Sequence, residues 1–117
     1  MIVDDGKIMM SIYGAIDEIN IILPKKMRLS KSPSTKLSGD PKGLDSLGLV
    51  SFIVATEEKL ENNFGITLSL TDEESMSQKN SPFQTVQTLT DYISMIIDKL
   101  NMVLVNNKKD NLLLIFF

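Results

Sequence analysis

Gly43-Leu44-Asp45-Ser46-Leu47-Gly48-Leu49-Val50-Ser51-Phe52-Ile53-Val54 is the stretch where a basic, turn-rich loop gives way to a densely apolar segment. Leu49, Phe52, Ile53, Thr56 and Leu60 recur at three- and four-residue spacing, the signature of a helix with one face turned to a core. Leu47, Val50 and Val54 form a second apolar stripe, displaced around the same helix. A peripheral helix of a small domain cannot bury both stripes. The second one, rimmed by Glu57, Glu58 and Glu61, therefore reads as a docking surface. A central helix buried on all sides is the alternative reading of the same residues.

Asp45 and Ser46 stand at the mouth of this helix, and both residue types cap helices through short side-chain oxygens. The same unpaired amides, at the positive end of the helix dipole, suit a phosphate group. Ser46 is thus either a cap or a hydroxyl to which something anionic is attached, and the local pattern leaves both open.

Working outward, Ile8, Ile12, Ile16, Ile19 and Leu23 mark a first helix with a core-facing stripe. Asp4 or Asp5 is placed to cap it, and Pro24 stops it. Residues 1–7 carry too little pattern to assign and are expected to be a flexible end. Between residues 24 and 45 the density of Pro, Gly and Ser predicts a long connection without regular structure, pinned by Leu29, Leu37 and Leu44. The motif helix is expected to stop near Asn62, with Gly65 suited to the left-handed turn that follows. Ile66-Thr67-Leu68-Ser69-Leu70 alternates like a strand but has no partner strand in the chain, and so reads as an extended connector. Thr71 with Glu74 makes a capping box for a short helix to about Ser77. Ser81 or Thr85 caps a last helix whose core face is Val86, Leu89, Tyr92 or Ile93, Ile96 and Leu100, extending toward Val103. The resulting expectation is an all-α four-helix bundle, three main helices and one short, with a long loop between the first two.

Composition bounds the chemistry. The 117 residues suffice for one small domain, and 43% hydrophobic with 23% charged residues is ordinary for a soluble globular chain. Cysteine and histidine are both absent, which removes disulfides, thiolate metal sites, the commonest metal ligand and the commonest general base. Self-contained hydrolytic or metal chemistry is not expected. An enzyme reading would need paired groups such as Asp72 and Glu74 converging in a cleft, and both are better suited to a solvated helix start. Neither a signal peptide nor a membrane-spanning run is evident, so a cytoplasmic chain without stable membrane insertion is expected.

The net charge of -3 is unevenly distributed. Lys25, Lys26, Arg28, Lys31, Lys36 and Lys42 face only Asp40 in the long connection, whereas Glu57, Glu58, Glu61, Asp72, Glu73, Glu74 and Asp91 dominate from Asp45 onward. An acidic half of this kind steers basic partner surfaces and disfavours nucleic acid. The basic loop lacks interleaved aromatics for stacking on RNA and reads as solvated.

The Asp45-Ser46-Leu47 tripeptide opening an apolar helix, the acidic end of that helix, and the later run Thr85-Val86-Gln87-Thr88-Leu89-Thr90-Asp91-Tyr92-Ile93 resemble acyl carrier proteins over residues 8–97. The resemblance implies that Ser46 accepts phosphopantetheine from coenzyme A through a phosphopantetheinyl transferase, flanked by Asp45 and Leu47. The arm's thiol would then carry acyl groups as thioesters, as in fatty acid biosynthesis and lipid metabolism. On this reading the chain is not an enzyme. Val50, Val54, Glu57, Glu58 and Glu61 would meet acyl-loading and acyl-transferring enzymes with basic docking surfaces, the carrier itself being a monomer. Phe52, Ile53, Leu60 and Ile96 would line the core where an acyl chain inserts. The basic loop would help hold the arm's phosphodiester. The sequence departs from the family pattern at Asp40-Pro41-Lys42-Gly43-Leu44, which is less acidic than usual, and in a longer loop and a longer segment before the last helix. These features resemble a specialised carrier rather than the housekeeping one. The carrier domain is expected over residues 8–104, with 105–117 a tail outside it. The rival expectation is an unmodified helical adaptor binding a partner through Leu47, Val50 and Val54.

Overall fold

Asp4 adopts extended backbone and its carboxylate accepts a hydrogen bond from the Gly6 amide at 2.7 Å, opening helix α1 (Asp5–Ile22). A short acceptor at this position satisfies an amide that the helix itself leaves unpaired. The helix start therefore lies inside the segment expected to be a flexible end. The computed structural model describes residues 4–38, 43–70 and 81–110, with side chains as far as Leu100. Leu23 is already extended ahead of Pro24, which ends α1 where the proline demands it. A single 3-10 turn, Lys25–Met27, begins the connection to helix α2 (Ser46–Phe64), and helix α3 (Val86–Asp110) completes the described architecture. Among the described residues the fold is mostly helical and contains no strand, an all-α arrangement. The short helix expected from Thr71 lies outside the described residues.

The isoleucine stripe of α1 explains how the helices assemble. Ile8, Ile12, Ile16 and Ile19 are all buried, and α1 packs against both α2 and α3. Phe52, Ile53 and Leu60 from α2 and Val86, Leu89, Ile93 and Ile97 from α3 fill the space between. Each such side chain withdrawn from water contributes about 1.5–3 kcal/mol. Polar groups inside this core are matched locally. Thr56 donates to the Phe52 carbonyl and Thr90 to the Val86 carbonyl, while Asn63 of α2 donates to the buried Ser11 hydroxyl of α1 at 2.8 Å.

Helix ends follow from single residues. Gly65 sits at φ 66°, and its amide donates to the Glu61 carbonyl. Glycine takes this left-handed conformation without steric cost, so α2 runs to Phe64 rather than stopping at Asn62. Thr85, not Ser81, caps α3: the Thr85 amide donates to the Thr88 hydroxyl at 2.9 Å and the Thr88 amide to the Thr85 hydroxyl at 3.1 Å. This reciprocal pairing is a capping box with threonine in the place usually held by glutamate. The helix then runs past Val103 to Asp110. Its core face turns through Ile97 instead of Ile96 and Leu100, which are respectively half-buried and 39% exposed. The step from Ile93 to Ile97 keeps a four-residue spacing that better holds the α3 stripe against α1.

The connector after α2 has no regular structure, and its burial alternates from residue to residue as the sequence pattern predicts. Leu68 and Leu70 point into the core while Thr67 and Ser69 face solvent.

Candidate functional site

The loop that delivers Ser46 is anchored before it reaches α2. Leu37 is fully buried and Leu44 nearly so, and the Leu44 amide donates to the Leu37 carbonyl at 2.9 Å. Leu29 packs partly buried against the same core, so all of the leucines expected to pin the connection do so. Asp45 follows in extended backbone as the cap of α2, its Oδ1 accepting from the Gly48 amide at 2.7 Å. Gly48 was not singled out by sequence reasoning, yet it makes room for this contact: a methyl group there would stand 3.1 Å from Asp45 Oδ1 and 3.4 Å from Leu44 Cδ2. The signal is visible in retrospect as a glycine three residues after an aspartate at a helix start.

Because Asp45 takes the capping task, Ser46 is left as the first helical residue. It is exposed, and its hydroxyl has no hydrogen-bond partner among the described residues. An exposed hydroxyl beside the amide end of a helix sits in a field that favours an attached anion. The two roles that the local sequence left open are thus divided between adjacent residues.

Beyond Ser46 the second stripe of α2 is uncovered. Leu47 is 77% exposed, Val50 45% and Val54 46%, so the helix is peripheral and buries only its first stripe. The fully buried central helix is excluded by these exposures. Glu58 and Glu61 flank the stripe in solvent. Glu57 is half-buried and does something else: its Oε2 accepts from the Leu70 amide at 2.7 Å, fastening the connector to α2. Its carboxylate is therefore committed to a structural contact, a use that no local pattern around Glu57 announced.

Phe52, Ile53 and Leu60 are fully buried, and Ile96 packs at the edge of the same core. Among the described residues no group of acidic side chains is arranged to hold a metal ion. No helix among them is long and apolar enough to cross a membrane. Asp72 and Glu74 lie outside the described residues. Compared with family models, with curated proteins and with solved structures, the chain matches none.

Proposed function

We propose that this chain is an acyl carrier protein of a specialised kind, in which Ser46 accepts phosphopantetheine from coenzyme A and the arm carries acyl groups as thioesters between enzymes. The observation that supports this most is the division of labour at the mouth of α2, with Asp45 bound to the Gly48 amide and the neighbouring Ser46 exposed, its hydroxyl without a partner among the described residues. The residues present fit such a group. Ser46 offers the attachment oxygen, and the helix start faces the phosphate that would follow it. A separate transferase must supply the base, because the chain lacks histidine.

Once attached, the arm raises the effective concentration of its cargo at each partner, since a second encounter becomes intramolecular. Leu47, Val50 and Val54 provide the apolar contact with that partner, and Glu58 and Glu61 steer basic surfaces toward it. The reading includes residues 71–77 as the short helix of a four-helix bundle, a cytoplasmic setting, and a monomeric chain that is not itself an enzyme. The exposed stripe equally favours a second reading, an unmodified adaptor that docks one partner and makes no use of Ser46.

Intact-mass measurement separates the two. The purified chain is incubated with coenzyme A, magnesium and a broad-specificity phosphopantetheinyl transferase. The carrier reading expects a mass increase of one arm that is lost in Ser46→Ala and retained in Ser51→Ala. An unchanged mass, with a competent control carrier modified in the same tube, leaves the adaptor as the surviving reading.

A further inference from the structure

The connection between α1 and α2 folds into a groove of about 500 Å³ whose lining includes Lys26, Arg28 and Lys36. Among the described residues none of these cations has a carboxylate partner, although Lys31 pairs with Asp17 and Lys59 with Glu18 nearby. Like charges gathered in one concavity repel each other, and the repulsion is relieved when an anion neutralises them. Arg28 is partly oriented already, since its Nε–H donates to the Leu23 carbonyl at 3.4 Å, and its other guanidinium donors have no partner among the described residues. Ser30, Ser34 and Thr35 line the same wall, their hydroxyls bonded within the loop, Ser30 to Thr35 and Ser34 to Ser32.

The groove is built, not merely enclosed by a slack loop. The Asn20 side chain of α1 grips Leu29 at both ends of its backbone, donating to the carbonyl at 2.9 Å and accepting from the amide at 2.8 Å. Thr35 donates to the Ser30 carbonyl at 3.0 Å and pairs with the Ser30 hydroxyl. The far wall is tied to the start of α3, where the Val86 amide donates to the Thr35 carbonyl and the Gln87 amide to the Pro33 carbonyl. A backbone held in place before a ligand arrives lowers the ordering cost of binding, which is then mainly that of the exposed Lys26 and Lys36 side chains.

We propose that this groove binds a small phosphorylated molecule carrying a diphosphate or two closely spaced phosphate groups. Three cations suit the charge of such a group better than that of a lone carboxylate, and phosphate oxygens accept charge-assisted hydrogen bonds from guanidinium and ammonium alike. The volume leaves space for an organic moiety beyond the phosphates. No aromatic side chain lines the groove, which argues against stacked single-stranded RNA. The proposal does not require Ser46 to be modified, although the carrier reading assigns the same basic loop to the arm's phosphodiester.

Calorimetric titration of the full chain with inorganic pyrophosphate and, separately, with ADP tests it. Both probes are expected to bind, and the triple variant Lys26→Gln/Arg28→Gln/Lys36→Gln is expected to lose at least about tenfold in affinity, through its charge-assisted contacts. The equal-charge control Lys7→Gln/Lys99→Gln/Lys108→Gln is expected to keep affinity within about twofold, because these positions lie along α1 and α3 away from the loop that lines the groove, and remote charges act only through a screened field. Tighter binding of ADP than of pyrophosphate assigns the remaining space to the organic moiety, and equal binding assigns recognition to the phosphates alone. Circular dichroism checks that each variant keeps its helical content, with Lys36→Gln alone as the substitute should the triple variant unfold. Failure of the wild-type chain to bind either probe overturns the proposal, as does an equal loss in the groove variant and the equal-charge control.

Discussion

Removing the Asp45 carboxylate and removing the Ser46 hydroxyl should have very different effects on folding, although the residues are neighbours at the same helix mouth. Asp45→Ala deletes the acceptor of the Gly48 amide and leaves that amide to water. Loss of such a cap costs about 1 kcal/mol, and loss of a negative charge beside the helix dipole adds about 0.3–1 kcal/mol. The expected total is about 1–2 kcal/mol, on the order of 4 °C in Tm for each kcal/mol in a chain of this size. Asp45→Asn keeps an acceptor and should lose only the smaller, charge-dependent part. Ser46→Ala removes an exposed group without a described partner, and should stay within about 0.5 kcal/mol of the parent. Urea unfolding followed by helical circular dichroism measures all three, with the denaturant slope checked for constancy. Equal destabilisation by Ser46→Ala and Asp45→Ala would make the serine a second cap and remove the main support for reading it as an attachment point.

Gly65→Ala places a side chain at φ 66°, where nothing crowds it but its own backbone objects, and should destabilise the chain by about 1–2 kcal/mol, with Gly65→Asn costing less; equal midpoints for the two variants in the same urea assay would contradict the left-handed stop. Glu57→Ala strips the Leu70 amide of its acceptor, with an expected cost of about 1–2 kcal/mol and faster hydrogen exchange at Leu70, whereas Glu57→Gln should retain most of the protection. Unaltered exchange at Leu70 in Glu57→Ala would show that the connector is held by burial of its leucines alone.

Much of the helical layout was legible because it depends on interactions between residues close in sequence. The stripes of Ile8 to Ile19 and Phe52 to Leu60 have helical spacing, and Pro24 and Gly65 act through their own backbones. At α1 and α2 the cap was narrowed to adjacent candidates but not decided, since Asp4 and Asp5, or Asp45 and Ser46, have equivalent chemistry until the helix start is fixed to one residue. Ile97 was missed in favour of Ile96 because α3 carries apolar residues at both positions, and only the placement of α1 selects between them.

The sequence alone thus determined which segments coil, where they stop and which chemistry is unavailable, because propensity, capping and the absence of cysteine and histidine are local or compositional properties. Tertiary structure alone decided that Leu47, Val50 and Val54 stay uncovered, that Glu57 serves Leu70, and that Asn20 grips Leu29. It also gathered Lys26, Arg28 and Lys36, which read as a solvated run along the chain, into one groove. These outcomes depend on which backbone passes which side chain after α1, α2 and α3 pack, and contacts between segments that far apart leave no periodic trace in the order of residues.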